Sequence, residues 1–442
     1  MRSNATSGLL AAALCLLGAA AFGQDSTNDV VRSLDDCIRI GLARSAAAVN
    51  ARRDVEVSKA VVGQARSEAL PQASVSASYT RLDELEEVSF NGGSQEVGTL
   101  DNYEVSATLS QLLYSGGRVG AALRGARSAR DMAEWALQEV DTALIRDIRI
   151  GFYDILLARR TVEVRRESVA QLRKQAEQID ARFRNGAASE FDALSARVRV
   201  SNEEPLLIAA RNDYALARER LRRLLGLDEE ALEVSGTLEG DVVDVDEHAL
   251  YELAQVQRPE IHRSRLMSEL REEDIRAGRS SALPEVRASL TYYGANSFGF
   301  VSFEEDWQWH WNAGVQLAWD VWDGGLTWST VREKRLEYRK SLTTLQDVRR
   351  SVRLDVRTAL LELARARESI DAGTGSVRQA EKALAIARTR YEAGLSTYIE
   401  FTDSNLALST ARLIRARAWH AYRVAAARLA FACGYGEDHP FE

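Results

Sequence analysis

Hydrophobic and polar positions alternate along this chain in two rhythms. Four short stretches keep a period of two, the side-chain repeat of an extended strand. Val75, Ala77 and Tyr79 alternate with Ser74, Ser76, Ser78 and Thr80; Tyr103, Val105, Ala107 and Leu109 alternate with Glu104, Ser106, Thr108 and Ser110. Later, Val286, Ala288, Leu290 and Tyr292 alternate with Arg287, Ser289 and Thr291. Trp309, Trp311, Ala313, Val315, Leu317 and Trp319 alternate with His310, Asn312, Gln316 and Asp320. Other segments step by three and four. Val169, Leu172, Ala176, Ile179 and Phe183 make one such seam, and Val377, Ala380, Leu384, Ala387 and Tyr391 make another. That is coiled-coil spacing, and alanine on the seam lets helices approach closely.

The helical segments are long. Arg118 to Phe183 holds no proline and predicts one helix of 66 residues, about 100 Å at 1.5 Å per residue. Two shorter helices flank it: Leu34 to Ser67, opened by Ser33 and Asp36 as a capping box, and Ser189 to Leu225. Their summed length is close to that of the long helix. Stacked end to end, the two can lie antiparallel along it. A second set follows at His248 to Ser281, Thr327 to Tyr391 and Thr397 to Cys433. Pro205 is expected to kink the first returning helix, and Gly373 and Gly375 to break the second long one.

The second set is a repeat of the first. Tyr114-Ser-Gly-Gly-Arg118 recurs as Trp322-Asp-Gly-Gly-Leu326, Arg182-Phe-Arg-Asn-Gly186 as Arg390-Tyr-Glu-Ala-Gly394, and Leu225-Gly226 as Cys433-Gly434, all at an offset of 208 residues. Upstream, Ala69-Leu-Pro71 matches Ala282-Leu-Pro284 at an offset of 213, so one loop there differs in length. The organisation expected is residues 1–23 as a signal peptide, 24–226 as the first repeat, 227–247 as an equatorial linker, 248–434 as the second repeat and 435–442 as a C-terminal tail. Each Gly-Gly pair sits where strand becomes helix, where the backbone needs freedom to turn. A phosphate-binding loop would need a following Gly-Lys-Ser/Thr, which neither pair has.

Strands with one Trp- and Tyr-rich apolar face suit a lipid-facing barrel, although a half-buried soluble sheet gives the same alternation. Four strands cannot close a barrel, and open sheet edges are not viable in lipid. The chain is therefore expected to oligomerise, three copies supplying twelve strands. The remaining composition agrees with this picture. Five prolines in 442 residues favour long helices, and a net charge of −8 without basic blocks gives no nucleic-acid footprint. Arg2, the apolar run Leu9 to Ala21 and the small-x-small site Ala21-Phe22-Gly23 read as a secretory signal, so Gln24 would begin the mature chain. No later run reaches the ~18 apolar residues of a spanning helix. Cys15 falls in the signal, and Leu14 before it is unlike a lipoprotein signal. Cys37 and Cys433 either pair in an oxidising periplasm or stay free. The five histidines show no metal-ligand spacing, and no G-x-S-x-G or H-E-x-x-H motif occurs. No enzyme activity and no cofactor are expected.

The signal peptide, the duplicated strand-strand-long helix-short helix unit and the turn motifs together resemble the TolC-like outer membrane factor family over nearly the whole mature chain. The resemblance implies a mixed α/β membrane protein with internal duplication. In it a homotrimeric twelve-stranded β-barrel, four strands per chain, continues into a long α-helical coiled-coil barrel in the periplasm. It implies an outer-membrane channel for efflux or type I secretion, working with a periplasmic adaptor and an inner-membrane transporter. Its helix-turn-helix tips would be Asn185 to Asp192 and Ala393 to Asp403, the end where adaptor helices dock. Gly186, Ala187 and Ser189, with Gly394, Leu395, Ser396 and Thr397, fall in those turns. The glycines fit helix C-caps and Ser189 and Thr397 the next N-caps, so these residues punctuate helices whatever else they do. Glu400 and Asp403 match an acidic pair ringing the channel entrance; a solvated acidic face at a helix N-terminus reads the same way. Asp192 and Tyr391 match members of links that hold some relatives closed, but the arginine expected beside them is Ser396 here. A soluble periplasmic coiled-coil scaffold is the alternative, separable by outer-membrane fractionation.

Overall fold

Long-range pairing of two strand-helix sets defines the fold, seen in a computed structural model that describes residues 31–90, 93–228, 231–296 and 307–436. The segment 1–23 with Cys15, and residues 437–442 of the tail, lie outside the described residues. In chain order the elements begin with β1 (Val31–Arg32), α1 (Leu34–Arg44), α2 (Ala46–Ser67), β2 (Gln72–Arg81), β3 (Glu86–Phe90), β4 (Gly93–Val97), β5 (Asp101–Ser115), α3 (Arg118–Arg184) and α4 (Glu190–Leu225). They continue with β6 (Glu233–Val234), α5 (Glu247–Gln257), α6 (Pro259–Ser280), β7 (Glu285–Ala295), β8 (Gln308–Ala318), α7 (Leu326–Glu392) and α8 (Tyr398–Cys433). Both long helices have 67 residues and both returning helices 36.

Where the pattern predicted one helix from Leu34 to Ser67, there are two, broken at Ser45 (φ −55°, ψ 133°). The helix expected from His248 to Ser281 breaks likewise at Arg258. Pro259 explains the second break, because it disfavours helical geometry in the residue before it. The first break has no proline and coincides with a tertiary contact. The C-cap glycine of α4, Gly226, abuts the Arg44 carbonyl so closely that a Cβ there would lie 2.7 Å from it, and Gly434 after α8 abuts Gln257 in the same way. Each returning helix thus ends inside the break of the short helix stacked beyond it. The weak points behave differently. α7 runs through Gly373 and Gly375, and α4 through Pro205, without interruption.

The four predicted strands form one antiparallel sheet in the order β2-β5-β7-β8. Its register aligns their apolar positions into rows: Val75, Ala107, Tyr292, Trp311 and Ala73, Leu109, Leu290, Ala313. The opposite face carries Ser74, Thr108, Thr291 and Asn312 in one row, where the Thr108 and Thr291 hydroxyls are 3.1 Å apart, and Ser76 bonds Ser106 at 2.7 Å in the next. One face is therefore apolar across all four strands and the other polar, hydroxyl-rich on the first three and amide- and imidazole-bearing on β8. Strands of 10 to 15 residues are long enough to cross a bilayer, which takes about 9–11. β8 ends at Ala318, before the Trp319 and Asp320 that the alternation included. The chain then turns at Asp323, whose carboxylate accepts from Gly325 and Thr327 N–H. At both strand-to-helix turns the glycine pairs have positive φ (62° and 88°; 67° and 88°). Two features carry no alternation signal: the β3-β4 hairpin, and a two-residue parallel pair joining β1 to β6 of the linker.

The helices continue the order of the strands. Near the sheet, α2 packs on α3, α3 on α6 and α6 on α7; farther away α4 packs on α3, α3 on α8 and α8 on α7. The molecule is thus a row of four strands above two rows of four helices. Core forms at mid-length in two equivalent clusters, one around Ile148, Phe152, Leu221 and Cys37, the other around Val356, Tyr422, Leu429 and Cys433. Both cysteines are free and lie in separate clusters. Burial raises Cys37 to a pKa of about 11 and Cys433 to about 12.

Candidate functional site at the hairpin tips

The two turns farthest from the sheet join α3 to α4 and α7 to α8, and they are built alike. Ala187 N–H donates to the Arg182 carbonyl and Leu395 N–H to the Arg390 carbonyl, each at 2.8 Å. Gly186 (φ 73°) and Gly394 (φ 72°) supply the left-handed residue that this closure needs. Ser189 and Thr397 then cap the next helices, accepting from the N–H of Asp192 and Glu400. Leu395 projects into solvent at 72% exposure, and Ala187 is also exposed.

The equivalent acids Asp192 and Glu400 differ in their surroundings. The Asp192 carboxylate accepts from the Ser189 hydroxyl at 2.7 Å and closes a capping box. Glu400 donates its N–H to Thr397, and its carboxylate has no partner among the described residues. No hydrogen bond joins Asp192 to Tyr391. Tyr391 instead stacks on Phe401 (interplanar angle 4°) and accepts a 3.3 Å hydrogen bond from Arg182 across the hairpins. Asp403 is paired too: Arg199 of α4 donates to its Oδ1 at 2.9 Å.

Between these ties lies Tyr398, buried among Ala176, Ile179, Ala193 and Ala196 of the first hairpin. Burial pushes its phenol up, with the Arg199 charge opposing the shift. Its hydroxyl and that of Ser396 are buried with no hydrogen-bond partner among the described residues, a costly arrangement that weakens the packed joint. Sequence reasoning singled out Asp403, Tyr391 and Ser396, and missed Arg199, Arg182 as a tie, and Tyr398. A pair 204 residues apart, such as Arg199 and Asp403, follows neither the helical period nor the repeat offset.

This end of the molecule can offer exposed turns to a partner and carboxylates to passing ions. Among the described residues no group of three or more His, Cys, Asp or Glu is placed to hold a metal, and no helix is long and apolar enough to cross a membrane. The chain is 22% identical over 395 residues to the outer membrane protein TolC of Salmonella enteritidis, covering 87% of this chain and 78% of that protein. It is 22% identical to the alkaline protease secretion protein AprF of Pseudomonas aeruginosa, covering 83% and 77%. Its fold matches the crystal structure of the Campylobacter jejuni CmeC outer membrane channel with a TM-score of 0.77 over 92% of this chain and 87% of that one, at 16% identity. The outer membrane efflux protein family model matches residues 38–227 and again 250–435, and the chain belongs to that family.

Proposed function

We propose that three copies of this chain close a twelve-stranded barrel in the outer membrane and extend it as a helical tunnel through the periplasm. The channel would be completed by a periplasmic adaptor at the tips and an inner-membrane transporter. That the chain is an outer-membrane channel subunit follows from its family; the trimer and its partners are the further step. A soluble scaffold does not fit a chain of this family.

The carrying observation is that each layer is an open row of four. In the sheet, β2 and β8 are edge strands exposed along their whole length, and unpaired edges are untenable in lipid. The helical rows have matching flanks. On α7, Leu336, Leu354, Leu361 and Ile386 are exposed and recur at whole numbers of turns. At the other flank α4 exposes Phe191, Leu194, Val198, Leu206 and Leu216. Rotating one copy about an axis beside the row and parallel to the long helices brings β8 to β2 and α7 to α4 of the next, and such a heterologous contact gives a closed ring when the rotation closes. The apolar rows of the sheet then face lipid and the hydroxyl rows face the lumen.

Light scattering of the detergent-purified chain, corrected for bound detergent, should give three chains per particle. A monodisperse monomer or an open-ended series of sizes would sink the proposal. In this reading the Gly186 and Gly394 turns, with Ala187, Ser189, Leu395, Ser396 and Thr397, face the adaptor. Glu400, Asp403, Asp192 and Tyr391 stand at the mouth of the tunnel.

A further inference from the structure

Arg199 bonds Asp403 from the neighbouring hairpin, and that single contact bears on the charge of the mouth. Arg197, two residues earlier, pairs with Asp180 inside its own hairpin. Arg199 reaches across instead, from α4 to α8, with 28% of its side chain exposed against 61% for Asp403. Glu400, three residues before Asp403 on the same helix, has no basic partner among the described residues. The two acids of the mouth are therefore inequivalent: one is neutralised and the other is free.

Resting on the reading that Glu400 and Asp403 line the channel mouth, we propose that Arg199 is a specificity-determining residue that masks Asp403 while the hairpins lie side by side. The pair also ties the hairpins together, so the movement that separates α8 from α4 breaks the tie and uncovers a carboxylate. Charge on the ion path and width of the mouth then rise together. The joint is suited to such a movement. Its second tie, Arg182 to Tyr391, is one exposed hydrogen bond with the guanidinium 5.5 Å from the ring centroid, and its packed centre holds a Tyr398 hydroxyl with no hydrogen-bond partner among the described residues. An exposed ion pair contributes little to folding, so replacing Arg199 should leave the chain intact and change mainly the field at the mouth.

The test is the potassium-to-chloride permeability ratio of the purified mature protein in planar bilayers, from reversal potentials in a KCl gradient. Arg199→Gln should raise the ratio about tenfold, because one unit charge about 6 Å from the ion path favours the cation and disfavours the anion by about threefold each in water. Arg199→Gln with Asp403→Asn should return it to the wild-type value, and Arg199→Lys should hold it there. Arg197→Gln removes the same charge two residues away, where the arginine pairs with Asp180 inside its own hairpin, and should leave the ratio unaltered. An unchanged ratio in Arg199→Gln, or a rise in Arg197→Gln as large as in Arg199→Gln, overturns the mask. Glu400→Gln reads the mouth assignment itself. A fall there with no effect of Arg199→Gln keeps the acidic mouth and rejects the mask. No change in Glu400→Gln rejects the acidic mouth, and the mask with it.

Discussion

Cys37 and Cys433 each lie in the core of one half, at 0% exposure. Their thiols are held protonated by burial, to about 11 and about 12. Because both values are raised above the ~8.5 of an unfolded cysteine, their contribution to stability is complete below that pH. It falls as pH rises toward the folded values. The expected result is a melting temperature that declines between pH 8.5 and 10.5 less steeply in the Cys37→Ala, Cys433→Ala variant than in the parent. A maleimide at pH 7.5 should label neither thiol until the protein is denatured. Equal slopes in the two proteins would show that other groups control the alkaline loss. The repeat offset aligns Cys433 with Leu225, an apolar core position, so burial explains its chemistry better than pairing does.

At the scale of elements, the two glycines of α7 separate intrinsic propensity from packing. Gly373 is buried against α8, where a Cβ would lie 3.3 Å from the Arg415 Cα, whereas nothing lies within 4 Å of the same point on Gly375. Gly375→Ala should therefore stabilise the helix by about 0.5–1 kcal/mol, the ordinary gain on replacing a mid-helix glycine. Gly373→Leu should destabilise by about 1–3 kcal/mol, because overpacking forces α7 from α8. Thermal melts followed by circular dichroism at 222 nm should move in opposite directions. A rise for both would mean that the close approach of α7 and α8 is not maintained in solution. The sequence marked these glycines as weak points in a helix; their neighbours make one a packing site and leave the other neutral.

For the whole molecule, the open question of polarity is which end meets a partner. The tips lie at the far end of 67-residue helices, about 100 Å from the sheet at 1.5 Å per residue. With the sheet in the outer membrane, they reach deep into the periplasm. Cysteines at Ala187 and Leu395 should crosslink to a periplasmic adaptor in cells, and the turns between strands should not. Crosslinks from the Trp309 end alone would reverse the orientation. The exposure of Leu395 in a single chain fits a partner-facing role. Gly186 and Gly394 are explained by helix capping alone, so their replacement would test the turn before it tested docking.

The duplication, the four strands, the two long helices and their capping residues were legible in the amino-acid sequence because each depends on local periodicity or on residues a few positions apart. Ser33 with Asp36 forms the expected capping box, and Ser189 and Thr397 are the expected N-caps. Gly-Gly marks both strand-to-helix turns, since few other residues accept those backbone angles. Other features rest on groups distant in sequence, and only the tertiary structure decided them. The break at Ser45 meets the close approach of Gly226, the β1-β6 pair joins the N-terminal segment to the linker, and the merging of four alternating strands into one apolar face depends on register. The same holds at the tips. Periodicity placed Asp403 on a helix face, but whether its charge is free depends on Arg199, and no local rule of sequence carries that contact.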